Sequence, residues 1–432
     1  MARKGEIVGA VDLGSRDVRV LIARKASDGG IQIIGHGAAP GRGCIVQGVI
    51  QDLNAAQLAL KRALADAEKE AAVKAPTLFC GINGKNVDTA IREGNVKVDS
   101  GVVDLAHLEE ALDVASREML APGKRILSSV TSQEWYVDDL RVRDPIGIRG
   151  SVLRARVHFA QVPSVIDDNI SMCVESMGRE LEDVVFLPLA SGLGCLTAED
   201  MDLGVLVLDI GRTISGLALY RERRILATHT FEWGGFDITR DVAAGLQISF
   251  EEAVELMMLY GLSEKLIQDS NEEDEGGKKR APGSSREERN ANIKLKTAVR
   301  GAPSIVERGQ LDSIAFERSM ELMTKVRQYV QSRGLAKHMV RGIVLTGGTA
   351  AIKNMTLLCE SVFQVPTRVG LPEGLDVLPQ PVNSPEYVGA VGVIRHGFEY
   401  RDALRSGRVE VQRGFASRVI RKFGRFVARY FF

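Results

Sequence analysis

The feature that most constrains the fold is a strand–turn–strand unit that occurs twice in the 432 residues. Gly204–Tyr220 reads GVLVLDIGRTISGLALY, an apolar run that leads through Asp209 and a glycine turn into a second apolar run. Ile7–Ile22, IVGAVDLGSRDVRVLI, has the same construction around Asp12. Apolar runs bounded by polar, glycine-containing turns are typical of buried strands. The repeat therefore predicts an α/β protein with two similar halves that face each other.

A third glycine-rich turn follows in the second half, in Ile343–Thr349, IVLTGGT. A strand, a Gly-Gly turn and a helix let the backbone approach a ligand closely, and a helix N-terminus favours an anion such as a phosphate. Asp12 and Asp209 could each orient a water molecule bound to Mg²⁺. The alternative is that each aspartate merely caps its own strand turn.

Composition excludes several classes of function. Lys+Arg and Asp+Glu both number 56, which argues against a general nucleic-acid binder. The five cysteines form no Cys-x-x-Cys pair and are expected to be reduced thiols of a cytosolic protein. We find no secretory signal and no run of about 18 apolar residues that would span a membrane.

Local patterns predict the elements between these turns. We expect a strand at Gly29–Ile34, a helix capped by Asn54 with Leu58 near its apolar face, and a strand at Val184–Ala190. Further helices are predicted at Phe250–Tyr260, with Gly261 as its C-cap, and at Ile314–Arg333. Asp269–Asn292 is almost free of apolar residues, so it predicts a solvated, mobile loop, or alternatively a partner site.

The block Lys85–Gln161 differs in its pattern of predicted elements from the rest of the first half. It combines short strand-like runs with one helix opened by Asp104, whose apolar residues form a single stripe that includes Leu105 and Leu108. This pattern predicts a small α+β module inserted into the first half. We call residues 85–161 the inserted module.

The C-terminal segment Gly414–Phe432, GFASRVIRKFGRFVARYFF, has its own chemistry. On a helix its apolar and cationic side chains separate onto two faces, which is typical of a helix that lies in the interface of an anionic membrane. The alternative is a terminal helix docked on its own domain. The residues predicted to contact the membrane are Phe415, Val419, Ile420, Phe423, Phe426, Val427, Arg418, Arg421, Lys422 and Arg425.

Taken together, these features resemble the FtsA family of actin-like bacterial cell-division proteins. The resemblance covers nearly the whole chain. It rests on the two Asp-x-Gly hairpins, on GGFDIT at Gly234–Thr239, on LTGG at Leu345–Gly348 and on SPEYVGAVGVI at Ser384–Ile394. DPIGIRGSVLRARVHF at Asp144–Phe159, inside the inserted module, is its most specific part.

The resemblance implies an actin-like, ribonuclease H-like fold of two lobes with ATP and Mg²⁺ in the central cleft. It implies a first-lobe core of residues 5–84, 162–200 and 372–395, the inserted module, a second-lobe core of residues 201–243 and 334–371, an outer subdomain at 244–333, a linker at 396–413 and the amphipathic helix at 414–432. The cofactor-binding residues implied are Asp12, Gly14, Ser15, Arg16, Asp209, Gly211, Arg212, Thr213, Gly235, Gly347, Gly348 and Thr349, with Asp12 and Asp209 facing the metal.

The resemblance also implies partners and a location. It implies binding of the C-terminal tail of the tubulin-like protein FtsZ, self-association into filaments, attachment to anionic membrane lipids and contact with other division proteins. These functions would place the protein on the cytoplasmic face of the membrane at the septum. From the resemblance alone, the inserted module is the candidate surface for self-association with the second lobe of a neighbouring subunit.

The nucleotide motifs depart from the family pattern. Arg16-Asp17 stand where the family has a small hydroxyl residue and Lys, and Arg212 stands where a glycine lets the backbone approach phosphate. Val254 and Met257 align with the Glu and Lys that contact ribose and base. We therefore expect weakened ATP binding and slow or absent hydrolysis, although Arg16 and Arg212 could supply the charge of the lost lysine.

Two other functions use the same fold. A small-molecule kinase would need a catalytic carboxylate and a substrate pocket between the lobes, and the sequence offers no convincing candidate for the carboxylate. A tether for a pilus-type assembly machine is the second alternative, and a tail of the kind seen here argues against it.

Overall fold

The structure is a computed structural model that describes residues 6–41, 43–117, 122–127, 133–142, 144–276, 292–295 and 305–405. The predicted linker beyond Arg405 and the predicted amphipathic helix therefore lie outside the described residues. Within the described ranges, no helix combines the length and the apolar character needed to cross a membrane.

Runs of strands are separated by single helices or by short runs of helices. The strands are β1 Glu6–Leu13, β2 Asp17–Lys25, β3 Ile31–Pro40, β4 Ile45–Val46, β5 Val49–Ile50, β6 Thr77–Ile82, β7 Asp88–Lys97, β8 Lys124–Ile126, β9 Gln133–Val137, β10 Leu140–Val142, β11 Val152–Pro163, β12 Glu180–Phe186, β13 Val205–Ile210, β14 Ser215–Arg221, β15 Arg224–Phe231, β16 Asn292–Lys294, β17 Ile305–Glu307, β18 Ile343–Thr346 and β19 Thr367–Val369. The α-helices are α1 Leu53–Ala71, α2 Leu105–Arg117, α3 Ser164–Glu175, α4 Leu187–Cys195, α5 Ala198–Leu203, α6 Gly235–Leu246, α7 Phe250–Tyr260, α8 Glu264–Gly276, α9 Arg308–Ser332, α10 Met355–Phe363 and α11 Val388–Arg405.

Two five-stranded sheets share one topology. The first sheet has the order β12-β6-β1-β2-β3 and the second has the order β19-β18-β13-β14-β15. In each sheet the Asp-x-Gly unit supplies two strands of an antiparallel meander, and its first strand pairs in parallel with a strand from later in the chain. The central strands carry runs of fully buried apolar side chains because both faces of each sheet are covered by packed elements. The predicted two similar halves are confirmed.

The inserted module forms a separate sheet of β7, β8, β9, β10 and β11 with α2 packed on it. Leu108, Leu112 and Ala115 are buried between α2 and this sheet. The helix comes very close to β7 at Gly94, where an added Cβ would lie 1.8 Å from the carbonyl oxygen of Ala111. Leu105, in contrast, is 48% exposed, because it belongs to the first turn of the helix and lies off the buried stripe.

Several element ends differ from the sequence predictions. Helix α1 is capped by Asp52, whose side chain accepts a hydrogen bond from the backbone N–H of Ala55, so Asn54 lies inside the helix. Leu58 is exposed because α1 turns its alanines, not this leucine, toward the first sheet. The predicted strand Val184–Ala190 ends at Phe186, and helix α4 begins at the next residue. Pro188 lies in the first turn of α4, where proline is well tolerated.

Three elements extend further along the chain than the sequence predicts: β3, α8 and α11. The third strand continues to Pro40, because Gly35 and Gly37 let it lie against the backbone of α1. Helix α8 extends through Gly276 into the charged stretch that was predicted to be a loop, and residues 277–291 lie outside the described residues. Helix α11 continues to Arg405, so residues 396–405 are helical where a linker was predicted. Buried Phe398 and the Arg401 guanidinium, which donates to Glu182 at 2.8 Å, hold this part of α11 on the first lobe.

Candidate functional site

The three glycine-containing turns meet in one cleft between the lobes. Its cavity has a volume of about 190 Å³, below the roughly 300–1,000 Å³ of common ligand pockets. The predicted residues that line it are Asp12, Gly14, Ser15, Arg16, Asp209, Gly211, Arg212, Gly235, Gly347, Gly348 and Thr349. Thr213 lies beside it, where its hydroxyl is 2.8 Å from the hydroxyl of Ser15 and joins the two hairpins.

Asp12, which is buried, and Asp209, which is half-buried, line the cleft near the C-terminal ends of the equivalent strands β1 and β13. Burial raises the pKa of Asp12 from the ordinary 3.8 to about 6; the charge of Arg19 opposes this shift, and the nearby Asp209 adds to it. Burial also raises the pKa of Asp209, opposed by the hydroxyl of Ser191, which donates to its Oδ2 at 2.6 Å. Two incompletely compensated carboxylates therefore share this site.

The raised pKa of Asp12 predicts a specific dependence of stability on pH. Folded protein holds this proton more tightly than the unfolded chain does, so the stabilisation is complete below about pH 4 and is lost as pH rises through about 6. Replacing Asp12 by Asn removes this loss. Relative to the wild type, Asp12→Asn should therefore gain up to about 3 kcal/mol of unfolding free energy between about pH 4 and pH 7. Urea unfolding at several pH values measures this gain.

The control for that series is Asp376→Asn, which neutralises an exposed carboxylate outside the cleft. An equal pH-dependent gain in Asp376→Asn would show that the gain does not come from the cleft. A constant difference between Asp12→Asn and the wild type would show that Asp12 is not the buried, raised-pKa group described here.

Arg16 does not extend as a free cation into the cleft. Its Nε donates to Asp17 and its Nη2 to Glu386, both at 2.7 Å. Arg19, from β2, donates to the same Oε2 of Glu386 at 2.9 Å and to Asp17 at 3.2 Å. We call Arg16, Asp17, Arg19 and Glu386 the charge cluster. Asp17 thus pairs with two arginines within the protein.

Sequence reasoning missed Arg19 and Glu386 as site residues. Arg19 lies inside an apolar strand, but it pairs in register with Asp12, and a cation opposite a predicted site carboxylate was a usable signal. Glu386 lies 370 positions from Arg16 and follows a proline in the SPEYVG segment, so no local pattern connects the two. Only the packing of that segment against the third turn brings them together.

Arg212 lies on the opposite, apolar side of the cleft. Its guanidinium carbon is 5.3 Å from the ring centres of both Phe236 and Phe250, a geometry suited to cation–π attraction. Val254 and Met257 line the same side. This wall therefore offers an apolar surface and a cation against which a flat heterocycle could stack. Val254 and Met257, which align with the family's ribose and base contacts, offer no hydrogen-bonding group.

Backbone amides of the second and third turns are already engaged. The N–H groups of Gly211, Gly235 and Gly347 donate to the carbonyls of Ile214, Gly211 and Pro385, at 3.0 Å in each case. Gly347 also requires glycine, because its φ is +82° and an added Cβ would lie 2.4 Å from Oδ1 of Asp209. Gly348 is different, since an added Cβ there would meet only Arg16 and Glu386, at 3.8 and 3.9 Å. The third turn is therefore open toward the cleft at Gly348.

The donor set suits one kind of metal. Among the residues that the structure describes, no group of three or more His, Cys, Asp or Glu side chains could enclose an ion. Asp12 and Asp209 together offer carboxylate oxygens only, and Mg²⁺ is often bound by one or two carboxylates plus phosphate and water. The pair of carboxylates therefore fits Mg²⁺ arriving with a phosphate ligand and does not fit a metal enclosed by protein alone.

Comparison with known proteins gives concordant matches. A family model described as "Cell division protein FtsA" matches residues 206–392, and one described as "SHS2 domain inserted in FTSA" matches residues 84–160. The chain is 30% identical to the cell division protein FtsA of Neisseria meningitidis over 397 residues, 91% of each chain. It is 27% identical to that of Escherichia coli over 413 residues, 94% of this chain and 93% of the relative.

Solved structures with the same fold are more distant in sequence. The PilM-PilN type IV pilus biogenesis complex has a TM-score of 0.62 at 15% identity, covering 90% of this chain and 98% of the other. MreB 5 of Spiroplasma citri bound to AMPPNP has a TM-score of 0.54 at 14% identity, covering 93% and 99%. At such identities the likeness concerns the fold alone, which is actin-like.

Proposed function

Because this chain belongs to the FtsA family of cell-division proteins, we propose that it tethers the FtsZ ring to the cytoplasmic membrane at the septum. The observation that carries this proposal is the basic, amphipathic sequence Gly414–Phe432, which follows an actin-like body. Helix α11 supports it, because Arg401 bonds to Glu182 and Asp402 pairs with Lys25. The last described helix before the tail in sequence is thus fixed to the first lobe.

The partner surfaces follow the proposed domain division. We assign the FtsZ C-terminal tail to the outer subdomain, residues 244–333, and self-association into filaments to the inserted module and the second lobe of the next subunit. The first-lobe core is residues 5–84, 162–200 and 372–395, and the second-lobe core is residues 201–243 and 334–371. Anionic lipids bind the tail, and other division proteins share the membrane-attached assembly.

ATP with Mg²⁺ is the ligand we propose for the cleft, with weakened affinity and slow or absent hydrolysis. Support comes from Asp12 and Asp209, which suit Mg²⁺, and from the actin-like MreB 5 protein, whose solved structure is bound to AMPPNP. Weakening is expected because Val254 and Met257 form no hydrogen bond to ribose or base, and because the charge of Arg16 is already paired. Losing two ribose hydrogen bonds costs about 1–3 kcal/mol, or roughly tenfold to a hundredfold in affinity.

The two alternative functions receive less support. A kinase would need a carboxylate free to accept a proton from a substrate hydroxyl, whereas Asp209 accepts from Ser191 and Asp12 lies 3.8 Å from Arg19. The support for a pilus tether among these comparisons is the likeness to the PilM-PilN complex. At 15% identity that likeness shows a shared fold and not a shared function. The family models match division proteins.

Recruitment of FtsZ to vesicles tests the proposed function. Vesicles with about one third anionic lipid are mixed with FtsZ and with the full chain, and then sedimented. We expect FtsZ to sediment with the vesicles only when this chain is present, and we expect FtsZ that lacks its C-terminal tail to stay in solution. FtsZ that fails to sediment with the full chain, or that sediments equally without it, would overturn the proposal.

A further inference from the structure

A carboxylate of the protein itself occupies the anion-binding part of the cleft. Glu386 uses one oxygen, Oε2, to accept hydrogen bonds from both Arg16 and Arg19, at 2.7 and 2.9 Å. Charge-assisted bonds of this length are the strong ones in proteins. These two arginines are thereby engaged in the same way that a phosphate oxygen would engage them.

The backbone holds Glu386 in that place. The carbonyl of the preceding Pro385 accepts from the N–H of Gly347 at 3.0 Å and from the hydroxyl of Thr346 at 2.8 Å. On the other side, the ring of Tyr387 lies 5.4 Å from the guanidinium carbon of Arg19. Glu386 therefore extends from a short segment that is fixed to the third turn.

The ion pair between Arg16 and Glu386 lies beside the third glycine-containing turn. An added Cβ on Gly348 would lie 3.8 Å from Nη1 of Arg16 and 3.9 Å from Oε2 of Glu386. The pair thus faces the glycine at which the backbone of the third turn is open to a ligand. Phosphate groups that approach this turn meet the carboxylate of Glu386 first, and repulsion opposes them.

The positive charges of Arg16 and Arg19 are already balanced by carboxylates of the protein. Within the charge cluster two arginines face two carboxylates, Asp17 and Glu386, and Asp12 lies 3.8 Å from Arg19 beneath them. Both positive charges of the cluster are therefore already balanced before a polyphosphate arrives. On the apolar wall, in contrast, the guanidinium of Arg212 lies against the rings of Phe236 and Phe250.

We propose that Glu386 is a built-in competitor for the polyphosphate group of a nucleotide, so that nucleotide binding requires Glu386 to leave Arg16 and Arg19. This inference rests on the proposed nucleotide site and deepens it, because it identifies one residue that sets the affinity. An internal competitor acts at a high effective concentration, so it weakens binding without removing any ligand contact. When Glu386 leaves, the hydrogen bonds that it accepted from Arg16 and Arg19 become available to the phosphates, while Asp17 still pairs with both arginines.

The test is calorimetric titration of the full chain with Mg²⁺-ATP and, separately, with inorganic tripolyphosphate. Tripolyphosphate lacks the nucleoside, so it reports on the anion-binding part of the cleft alone. The variants are Glu386→Gln, which keeps the shape but removes the charge, and Asp376→Asn, which removes one exposed negative charge outside the cleft. The side chain of Glu386 is 26% exposed, and glutamine has nearly the same shape, so Glu386→Gln is expected to fold like the wild type.

We expect Glu386→Gln to bind both ligands at least about tenfold more tightly than the wild type, because the neutral glutamine amide competes through weaker hydrogen bonds and does not repel the phosphates. Asp376→Asn should match the wild type. Equal affinities of Glu386→Gln and the wild type, or no measurable binding by either at millimolar ligand, would overturn the role of Glu386. Micromolar binding of ATP by the wild type would overturn only the proposed weakening, so the two failures are distinguishable.

Discussion

Deletion of residues 414–432 is expected to reduce the affinity of the protein for anionic vesicles by roughly a thousandfold or more. The segment carries five cations, and each contributes about 1 kcal/mol near an anionic membrane. Their sum of about 5 kcal/mol corresponds to more than three orders of magnitude. Burial of the aromatic and aliphatic face in the acyl boundary adds to this attraction. Co-sedimentation of the full and shortened chains with vesicles of about one third anionic lipid measures the difference.

The electrostatic and apolar contributions can be separated with one further variant. Replacing the five cations by glutamine keeps the apolar face and should abolish the preference for anionic over neutral vesicles. The five are Arg418, Arg421, Lys422, Arg425 and Arg429. Binding of the unaltered chain should fall as salt rises, because screening shortens the reach of the cations. A shortened chain that still sediments with anionic vesicles would place the membrane contact elsewhere and contradict the tether.

Substitution of Arg224 by alanine is expected to lower the free energy of unfolding by about 1.5–3 kcal/mol, the usual contribution of a hydrogen bond to a charged group. Arg224, at the start of β15 in the second lobe, pairs with Glu134 of the inserted module, and their side chains are only 13% and 10% exposed. Without Arg224, Glu134 would keep only its bonds from Tyr136 at 2.7 Å and Arg156 at 3.3 Å. Urea unfolding curves of the variant and the wild type measure the loss.

The neighbouring residue supplies a matched control. Arg223 is 56% exposed and pairs with the 42% exposed Asp202, and exposed pairs contribute about 0–1 kcal/mol. Arg223→Ala should therefore lower the unfolding free energy by less than about 1 kcal/mol. If Arg224→Ala cost no more than Arg223→Ala, the pair between the module and the second lobe would not be a stabilising contact.

A second contact, between His158 and Thr228, also joins the inserted module to the second lobe. The inserted module interrupts the first lobe in sequence, yet His158 of β11 lies buried against β15 of the second lobe, with Nε2 2.9 Å from the hydroxyl of Thr228. Burial lowers the pKa of His158 to about 4, so this imidazole is neutral at physiological pH. A neutral ring can accept or donate here without an uncompensated charge. The inserted module therefore contacts β15 through both a hydrogen bond and an ion pair.

Much of the site could be predicted from short patterns. The three glycine-containing turns line one cleft because each follows a central strand of a sheet, and the ends of such strands meet where the lobes face each other. The partners of the charged side chains could not be predicted in the same way. Arg16 and Arg212 were candidates to replace a lost lysine, but Arg16 pairs with carboxylates and Arg212 lies over two phenylalanine rings.

The sequence by itself determined the two-lobed α/β fold, the position of the inserted module, the family and the apolar character of the wall at Val254 and Met257. The two similar halves and the inserted module follow from periodicity and composition, which act locally through strand and helix preferences, whereas the family, the two-lobed fold and the wall follow from the resemblance of the motifs. Only the tertiary structure decided that α11 runs on to Arg405, that Arg19 lies beside Asp12 in the cleft, and that Glu386 reaches Arg16 from 370 positions away. A charged side chain pairs with whichever opposite charge the folded chain brings within a few ångströms, and that choice depends on how distant segments pack.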